Sequence, residues 1–169
     1  MNEEQYSRAN KRVLLAIVVV FGYIAATLML ALVVSQGGHA SKIMMEAVTA
    51  AAVIVISVAA YLGKRTTRTC AVIMTLSMMI GYFVIVQLNT TVGTWTYGLP
   101  MLIAAMVYLD KKIVMMTNGI ALVAIIVHLV RCFLGGGSDL RNNVIGLFVL
   151  LLTAYACNSA ERLLERFFK

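Results

Sequence analysis

The chain has 169 residues, of which 62 % are hydrophobic and 12 % are charged, and its mean hydropathy is +0.93. This composition excludes an ordinary soluble domain, and the length allows a single domain. The net charge of +7 does not indicate a nucleic-acid partner, because the basic residues lie in short connections between apolar runs and form no patch.

Six apolar runs predict an all-α polytopic membrane protein with six transmembrane helices. Residues 1–12 are polar and predict a short cytoplasmic helix at the membrane surface, residues 13–160 form the transmembrane domain, and residues 161–169 begin an amphipathic cytoplasmic helix. Most runs are near the roughly 20 residues that a crossing needs. The first run is too long for a cleavable signal peptide. The predicted spans are 13–34, 43–62, 69–88, 94–109, 113–134 and 144–160.

The distribution of Lys and Arg predicts the orientation. Eleven of the 14 basic residues fall on the side of the two termini, and three fall on the other side. Both termini are therefore expected in the cytoplasm. This predicts a multi-pass membrane protein in which the connection between the third and fourth spans faces outward.

That connection, residues 89–100, reads NTTVGTWTYGLP and holds the only Trp and the only Pro of the chain. Pro100 favours a helix that begins near Leu99, which leaves a helical part of only about half a bilayer. Irregular backbone at membrane depth persists only where protein or a water-filled cavity surrounds it. A short span interrupted by Gly and Pro is therefore the strongest indication of a ligand site in this sequence.

Polar and aromatic residues concentrate near the same end of the predicted bundle, the end that is expected to face outward. Ionisable side chains inside membrane helices are costly and tend to face the bundle interior, so we predict a pocket there. Trp95 and Tyr97 are expected to hold an apolar part of the ligand, although both could instead be interfacial anchors. The ligand's polar group would be oriented by Asn89, His128 and Arg131. Glu46 is the predicted acidic partner of Arg131.

Other polar and small residues favour structural roles. Cys70, Cys132 and Cys157 have no metal or disulfide spacing and are expected as inert thiols. Asn118 and Asn158 are expected to bond between helices, and Gly22 with Ala26 permits close helix approach. We find no carboxylate pair, no His cluster and no activated nucleophile, so neither an enzyme, a metal site nor a cofactor is predicted.

The C-terminal segment ERLLERFFK pairs apolar residues at i, i+4, which indicates either a surface helix or the first turn of a dimeric coiled coil. Together with MNEEQYSRANKRV, YGLPMLIAAMVYLDKK and HLVR, the exit AERLLERFF resembles the N-terminal six-helix membrane region of clostridial-type methyl-accepting chemotaxis proteins. The resemblance covers the whole chain. It implies a sensory input domain in the bacterial cytoplasmic membrane that controls a cytoplasmic signalling module, and it supplies no ligand-binding residues.

The prediction is therefore a homodimeric sensor that binds an unidentified small ligand from the outer leaflet and relays binding through its sixth helix. Two alternatives remain open. A substrate-binding subunit of an energy-coupling vitamin transporter would also have six helices and an outward pocket, and it would co-purify with an ATPase module. A structural membrane anchor would have no pocket, and outer-leaflet substitutions would be silent.

Overall fold

The computed structural model describes residues 3–34, 40–88, 93–134 and 140–167, and within these ranges all the regular secondary structure is helical. This confirms the predicted all-α class. Five of the helices are long and apolar enough to cross a membrane, and the fourth is a nine-residue helix. The helices are α1 (Glu3–Val34), α2 (Ala40–Lys64), α3 (Arg68–Leu88), α4 (Gly98–Met106), α5 (Lys111–Leu134) and α6 (Leu140–Phe167), with a 3₁₀ turn at Thr94–Tyr97 directly before α4.

The structure joins residues 3–12, which were predicted as a short helix at the membrane surface, to the first apolar run. α1 runs without a break from Glu3 into the first apolar run. No Gly or Pro interrupts it before Gly22, and one helical face stays buried from its polar part onward. That face comprises Ala9, Asn10, Val13, Ile17 and Phe21.

α3 is the central helix of the bundle. In its apolar stretch 61 % of the residues are buried, against 22 % for α1 and for α2. It packs against α1, α2, α4 and α5. Its inner side carries Met74, Met78, Tyr82 and Ile85, so the densest part of the core lies along this helix.

One end of the bundle collects the start of α1, the α2–α3 turn and the connection before α5, and we call it the basic end. The Asn10 amide donates to the carbonyls of Arg65 at 2.8 Å and Thr67 at 3.3 Å. The Arg68 guanidinium donates to both carboxylate oxygens of Asp110, at 2.7 and 3.2 Å. These contacts fix three separate parts of the chain at one level.

α3 and α5 run in the same direction. Gln87, near the end of α3, donates to the carbonyl of Ala124 on α5 at 2.9 Å. Arg68, at the start of α3, bonds to Asp110 just before α5. The chain between them therefore returns from the opposite end of the bundle to the basic end. α4 lies on this return path and packs against α1, α3, α5 and α6.

The α5–α6 pair confirms one predicted interhelical bond. The Asn118 amide donates to Asn158 Oδ1 at 3.2 Å and to the carbonyl of Ala154 at 3.3 Å. By contrast, Gly22 has no atom of another element within 4 Å of the position a Cβ would take. Within one chain, its predicted role in close helix approach is therefore unused. α6 stays helical to Phe167.

Candidate functional site

The described part of the interruption between α3 and α4 is a 3₁₀ turn at Thr94–Tyr97, which follows a left-handed glycine. Gly93 has a φ of 93°, a left-handed conformation that residues with a Cβ atom rarely adopt. Its carbonyl accepts from the backbone N–H of Thr96 at 2.9 Å and from the Thr96 hydroxyl at 2.7 Å. α4 starts at Gly98, and Pro100 is its third residue, where no helical donor is lost.

Trp95 is partly buried and packs against the core of the bundle. A Cβ added to Gly146 of α6 would lie 2.6 Å from Cγ of Trp95, so the indole rests directly on the α6 backbone. The Nε1 atom of Trp95 is buried and has no hydrogen-bond partner. A buried indole N–H without an acceptor is a costly arrangement, and it marks this atom as a donor available to a bound molecule.

Tyr82 holds the same turn from the α3 side. Its hydroxyl donates to the carbonyl of Trp95 at 3.2 Å. A Cβ at Gly98 would lie 2.9 Å from that hydroxyl oxygen, so only glycine allows the phenol to approach this closely. The 3₁₀ turn is thus fixed between α3 and α6.

Tyr97 and Glu46 lie near each other on the α2 side of the site. The phenol of Tyr97 is partly buried and lies within electrostatic range of Glu46 and Tyr23. Glu46 is 4 % exposed.

His128 belongs to a small polar cluster between α5 and α6. It is 8 % exposed. Its Nε2 atom lies 3.6 Å from Sγ of Cys132, which accepts from the Asn143 amide at 3.3 Å. His128 also interacts with the backbone of Val86 on α3. Cys132 is therefore part of this polar cluster and is not an isolated core thiol, in contrast to the buried Cys70 and Cys157.

Arg131 has a partner that differs from the predicted one. Its Nη1 atom donates to the carbonyl of Gln87 at 2.7 Å and to the Gln87 Oε1 atom at 3.3 Å. The predicted partner, Glu46, lies on α2, which packs against α1 and α3, whereas α5 packs against α3, α4 and α6. α3 supplies the nearer acceptor, and sequence spacing alone could not show which helices are neighbours.

The predicted ligand residues thus form two groups along α3. One group contains Trp95, Tyr97 and Glu46, and the other contains His128 and Arg131. Tyr82 touches the first group, and Val86 and Gln87 touch the second. Asn89 lies outside the described residues.

Sequence reasoning did not assign Tyr82, Gln87 or Gly146 to the site. Gly146 carried a usable signal, because an isolated glycine inside a helical pattern often marks a close packing contact. Tyr82 carried none, since a tyrosine in an apolar run is common in a core.

These groups could hydrogen-bond to a molecule and pack against it. The indole N–H and the guanidinium of Arg131 donate hydrogen bonds, and the aromatic rings offer apolar surface. Among the residues that the structure describes, no group of three His, Cys, Asp or Glu side chains could hold a metal ion. No family model, no curated protein and no solved structure matches this chain. The function must therefore be argued from these residues.

Proposed function

We propose that this chain is the sensory input domain of a bacterial membrane receptor, which binds a small ligand between α3, the 3₁₀ turn and α5. The ligand carries a hydrogen-bond acceptor or a negative charge and an apolar part. The single observation that carries this proposal is the buried Nε1 atom of Trp95, which has no partner although its turn is held by Tyr82 and Gly146.

The membrane arrangement in this proposal has six crossings. Five helices meet the length and hydropathy of a span. The connection between α3 and α5 supplies the sixth, because the end of α3 and the start of α5 lie at opposite ends of the bundle. α4 contributes nine residues, about 14 Å of a hydrocarbon core of roughly 30 Å. The α4 span is the short one, and its neighbours α1, α3, α5 and α6 surround it.

The basic end faces the cytoplasm in this proposal, and both termini lie there. This orientation is inferred from the excess of Lys and Arg at that end. The 3₁₀ turn, Glu46 and Arg131 then lie toward the outer leaflet, so the ligand enters from outside.

α6 carries the output. It has 28 residues, which is about 42 Å at 1.5 Å per residue and exceeds the roughly 30 Å core. Its backbone touches Trp95 at Gly146, so a ligand that bonds to the indole also changes the environment of α6. In a homodimer with a cytoplasmic signalling module of the chemotaxis type, a small displacement of α6 would be transmitted to that module.

The test is thermal unfolding of the detergent-purified protein against a library of small metabolites. Selective binding to the folded state raises the free energy of unfolding by about 2.7 kcal/mol at a ligand concentration of 100 Kd. A true ligand should stabilise the parent and should lose most of this effect in Trp95→Phe, which removes the N–H and keeps a ring. The Arg131→Gln variant should lose the stabilisation that anionic ligands give to the parent.

The matched control is Tyr155→Phe, which alters an aromatic side chain that is 73 % exposed on α6. It should respond to the ligand as the parent does. Equal stabilisation of the parent, Trp95→Phe and Arg131→Gln would contradict the proposed site, and no stabilisation by any compound would favour a membrane anchor. Co-purification with an ATPase module would instead favour the transporter subunit.

A further inference from the structure

A groove at the basic end combines cationic side chains with an apolar floor. Its volume is about 590 Å³, and it lies between the first turns of α1 and the last turns of α2. It is far along the bundle from the 3₁₀ turn and involves none of the residues of the proposed ligand site. The lining residues used below are Arg8, Lys11, Arg12, Leu15, Val18 and Tyr61.

The α1 residues of the groove share one helical face. Residues 8, 11, 12, 15 and 18 follow the i, i+3, i+4 spacing that places side chains in one row. The row is cationic over its first part and apolar over its second, and the change occurs where the apolar run of α1 begins. Leu15 is 66 % exposed, so the apolar part is open on its outer side.

Of the three cations that line the groove, Lys11 and Arg12 form no ion pair with another described residue. Arg8 pairs with Glu4, and the other pair joins Arg68 to Asp110. Lys11 and Arg12 are exposed. Tyr61 also lines an adjoining groove that contains Lys64 and Arg65, which adds positive charge on the α2 side.

The groove has a fixed geometry because α1 is tied to the α2–α3 turn. The Asn10 amide donates to the carbonyls of Arg65 and Thr67, and Asn10 itself is fully buried. The neighbouring Lys11 and Arg12 are thereby held beside the turn.

We propose that this groove binds one anionic phospholipid, with its phosphate at Lys11 and Arg12 and an acyl chain along Leu15 and Val18. Basic residues next to a membrane span attract anionic lipid head groups, by about 1 kcal/mol per Lys or Arg near the surface. A zwitterionic lipid would bring its own ammonium group to the same cations, and a free phosphate would leave the apolar floor uncovered. The proposal does not depend on the sensory function.

Native mass spectrometry of the delipidated protein tests this site. The protein is titrated with phosphatidylglycerol and with phosphatidylethanolamine of identical acyl chains. We expect the parent to prefer phosphatidylglycerol, and the variant Lys11→Gln/Arg12→Gln to bind it about tenfold more weakly or worse, consistent with the loss of two interfacial cations.

The matched control is Lys111→Gln/Lys112→Gln, which removes two exposed cations at the same end of the bundle and gives the same net charge. It should change the affinity for phosphatidylglycerol by less than about twofold, because these residues do not line the groove. Unfolding temperatures of all variants are compared first, and the single variants Lys11→Gln and Arg12→Gln replace the double variant if it does not fold.

Three results would overturn the proposal. The two double variants could bind phosphatidylglycerol equally, which would mean that only net charge matters. The parent could bind both lipids equally, which would remove the role of the cations. Glycerol 1-phosphate could displace phosphatidylglycerol at equal concentration, which would make the site one for a soluble phosphate compound.

Discussion

At the scale of single residues, the contact between Trp95 and Gly146 defines how the 3₁₀ turn sits in the bundle. The indole lies where any side chain at Gly146 would otherwise project. The sequence alone left both an interfacial role and a role in a pocket open for this tryptophan. Its close approach to α6 is possible because glycine leaves the helix backbone uncovered.

We therefore expect Gly146→Ala to be destabilising. Its Cβ would lie 2.6 Å from the Trp95 ring, and overpacking of this kind costs about 1–3 kcal/mol. The control is Gly119→Ala on α5, where no atom lies within 4 Å of the added Cβ and alanine favours the helix. Thermal unfolding in detergent compares the two variants, and an equal effect of both would contradict the packing described here.

The hydroxyl of Tyr82 gives a second prediction at this scale. Tyr82→Phe removes the donor to the Trp95 carbonyl and should lower the free energy of unfolding by about 0.5–1.5 kcal/mol. Tyr155→Phe removes a hydroxyl from an exposed ring and should be close to neutral. Unfolding curves that show no difference between these variants would mean that the bond to the turn contributes nothing.

At the scale of the helices, polar contacts between neighbours specify the arrangement of an otherwise apolar bundle. Asn118 bonds to Asn158 across the α5–α6 interface, and Arg131 bonds to Gln87 across the α3–α5 interface. Apolar side chains pack against many alternative surfaces, whereas a buried amide needs a specific partner. These contacts therefore select one set of helix neighbours.

A double-mutant cycle of Asn118→Ala and Asn158→Ala measures the first of these contacts. We expect a coupling energy of about 0.6 kcal/mol, the average for hydrogen bonds between membrane helices. The control cycle combines Asn118→Ala with Thr153→Ala, because the Thr153 hydroxyl bonds to Val149 of its own helix. A coupling of the same size in both cycles would show that the Asn118–Asn158 bond is not its origin.

The contacts of Asp110, in the connection before α5, predict that the stability of the protein depends on pH. Burial acts to raise the pKa of Asp110, but the hydrogen bond and charge of Arg68 and the N–H of Lys112 outweigh it, and the pKa lies below the ordinary 3.8. The carboxylate therefore stabilises the folded state above that ordinary value, and the contribution is lost as the pH falls through the lowered pKa. Thermal unfolding from pH 6 to pH 2 should show this loss.

Asp110→Asn removes the titrating group from that connection. Its unfolding temperature should be lower than that of the parent at pH 6, and the difference should shrink as the pH falls. Glu4→Gln is the control, because Glu4 pairs with Arg8 at an exposed site where ion pairs contribute little. A constant difference between Asp110→Asn and the parent across this range would rule out the proposed role of the carboxylate.

At the scale of the whole molecule, the alternating helix directions place two sets of connections at opposite ends. The α2–α3 turn and the start of α5 lie at the basic end, and the start of α6 lies at the other end. If the bundle spans a membrane with the basic end inside, these two ends must differ in access to an external reagent.

Cysteine labelling in intact cells tests that orientation. Cys70, Cys132 and Cys157 are first replaced by alanine, and Lys112→Cys or Arg141→Cys is then introduced at an exposed site. A membrane-impermeant maleimide should label Arg141→Cys in intact cells and Lys112→Cys only after the cells are opened. The reverse pattern would place the basic end outside, and labelling of both positions in intact cells would contradict the membrane arrangement.

The sequence by itself determined the helical class, the approximate positions of the helices and the concentration of basic residues at one end. These follow from local properties, since hydropathy sets which stretches are apolar helices and glycine, proline and polar runs set where they stop. It also predicted that Asn118 and Asn158 bond between helices, because amides in apolar helices need partners. It did not predict that α1 continues through its polar start, since that depends on burial of Ala9 and Asn10 against the α2–α3 turn.

Only the tertiary structure decided which helices are neighbours, and this determined the site. Arg131 bonds to Gln87 instead of Glu46 because α3 lies between α2 and α5. Trp95 lies against α6 because Gly146, more than 50 positions later in the chain, leaves room for its ring. Such contacts join residues that are distant in sequence, and their free energy depends on shape complementarity that no local pattern records.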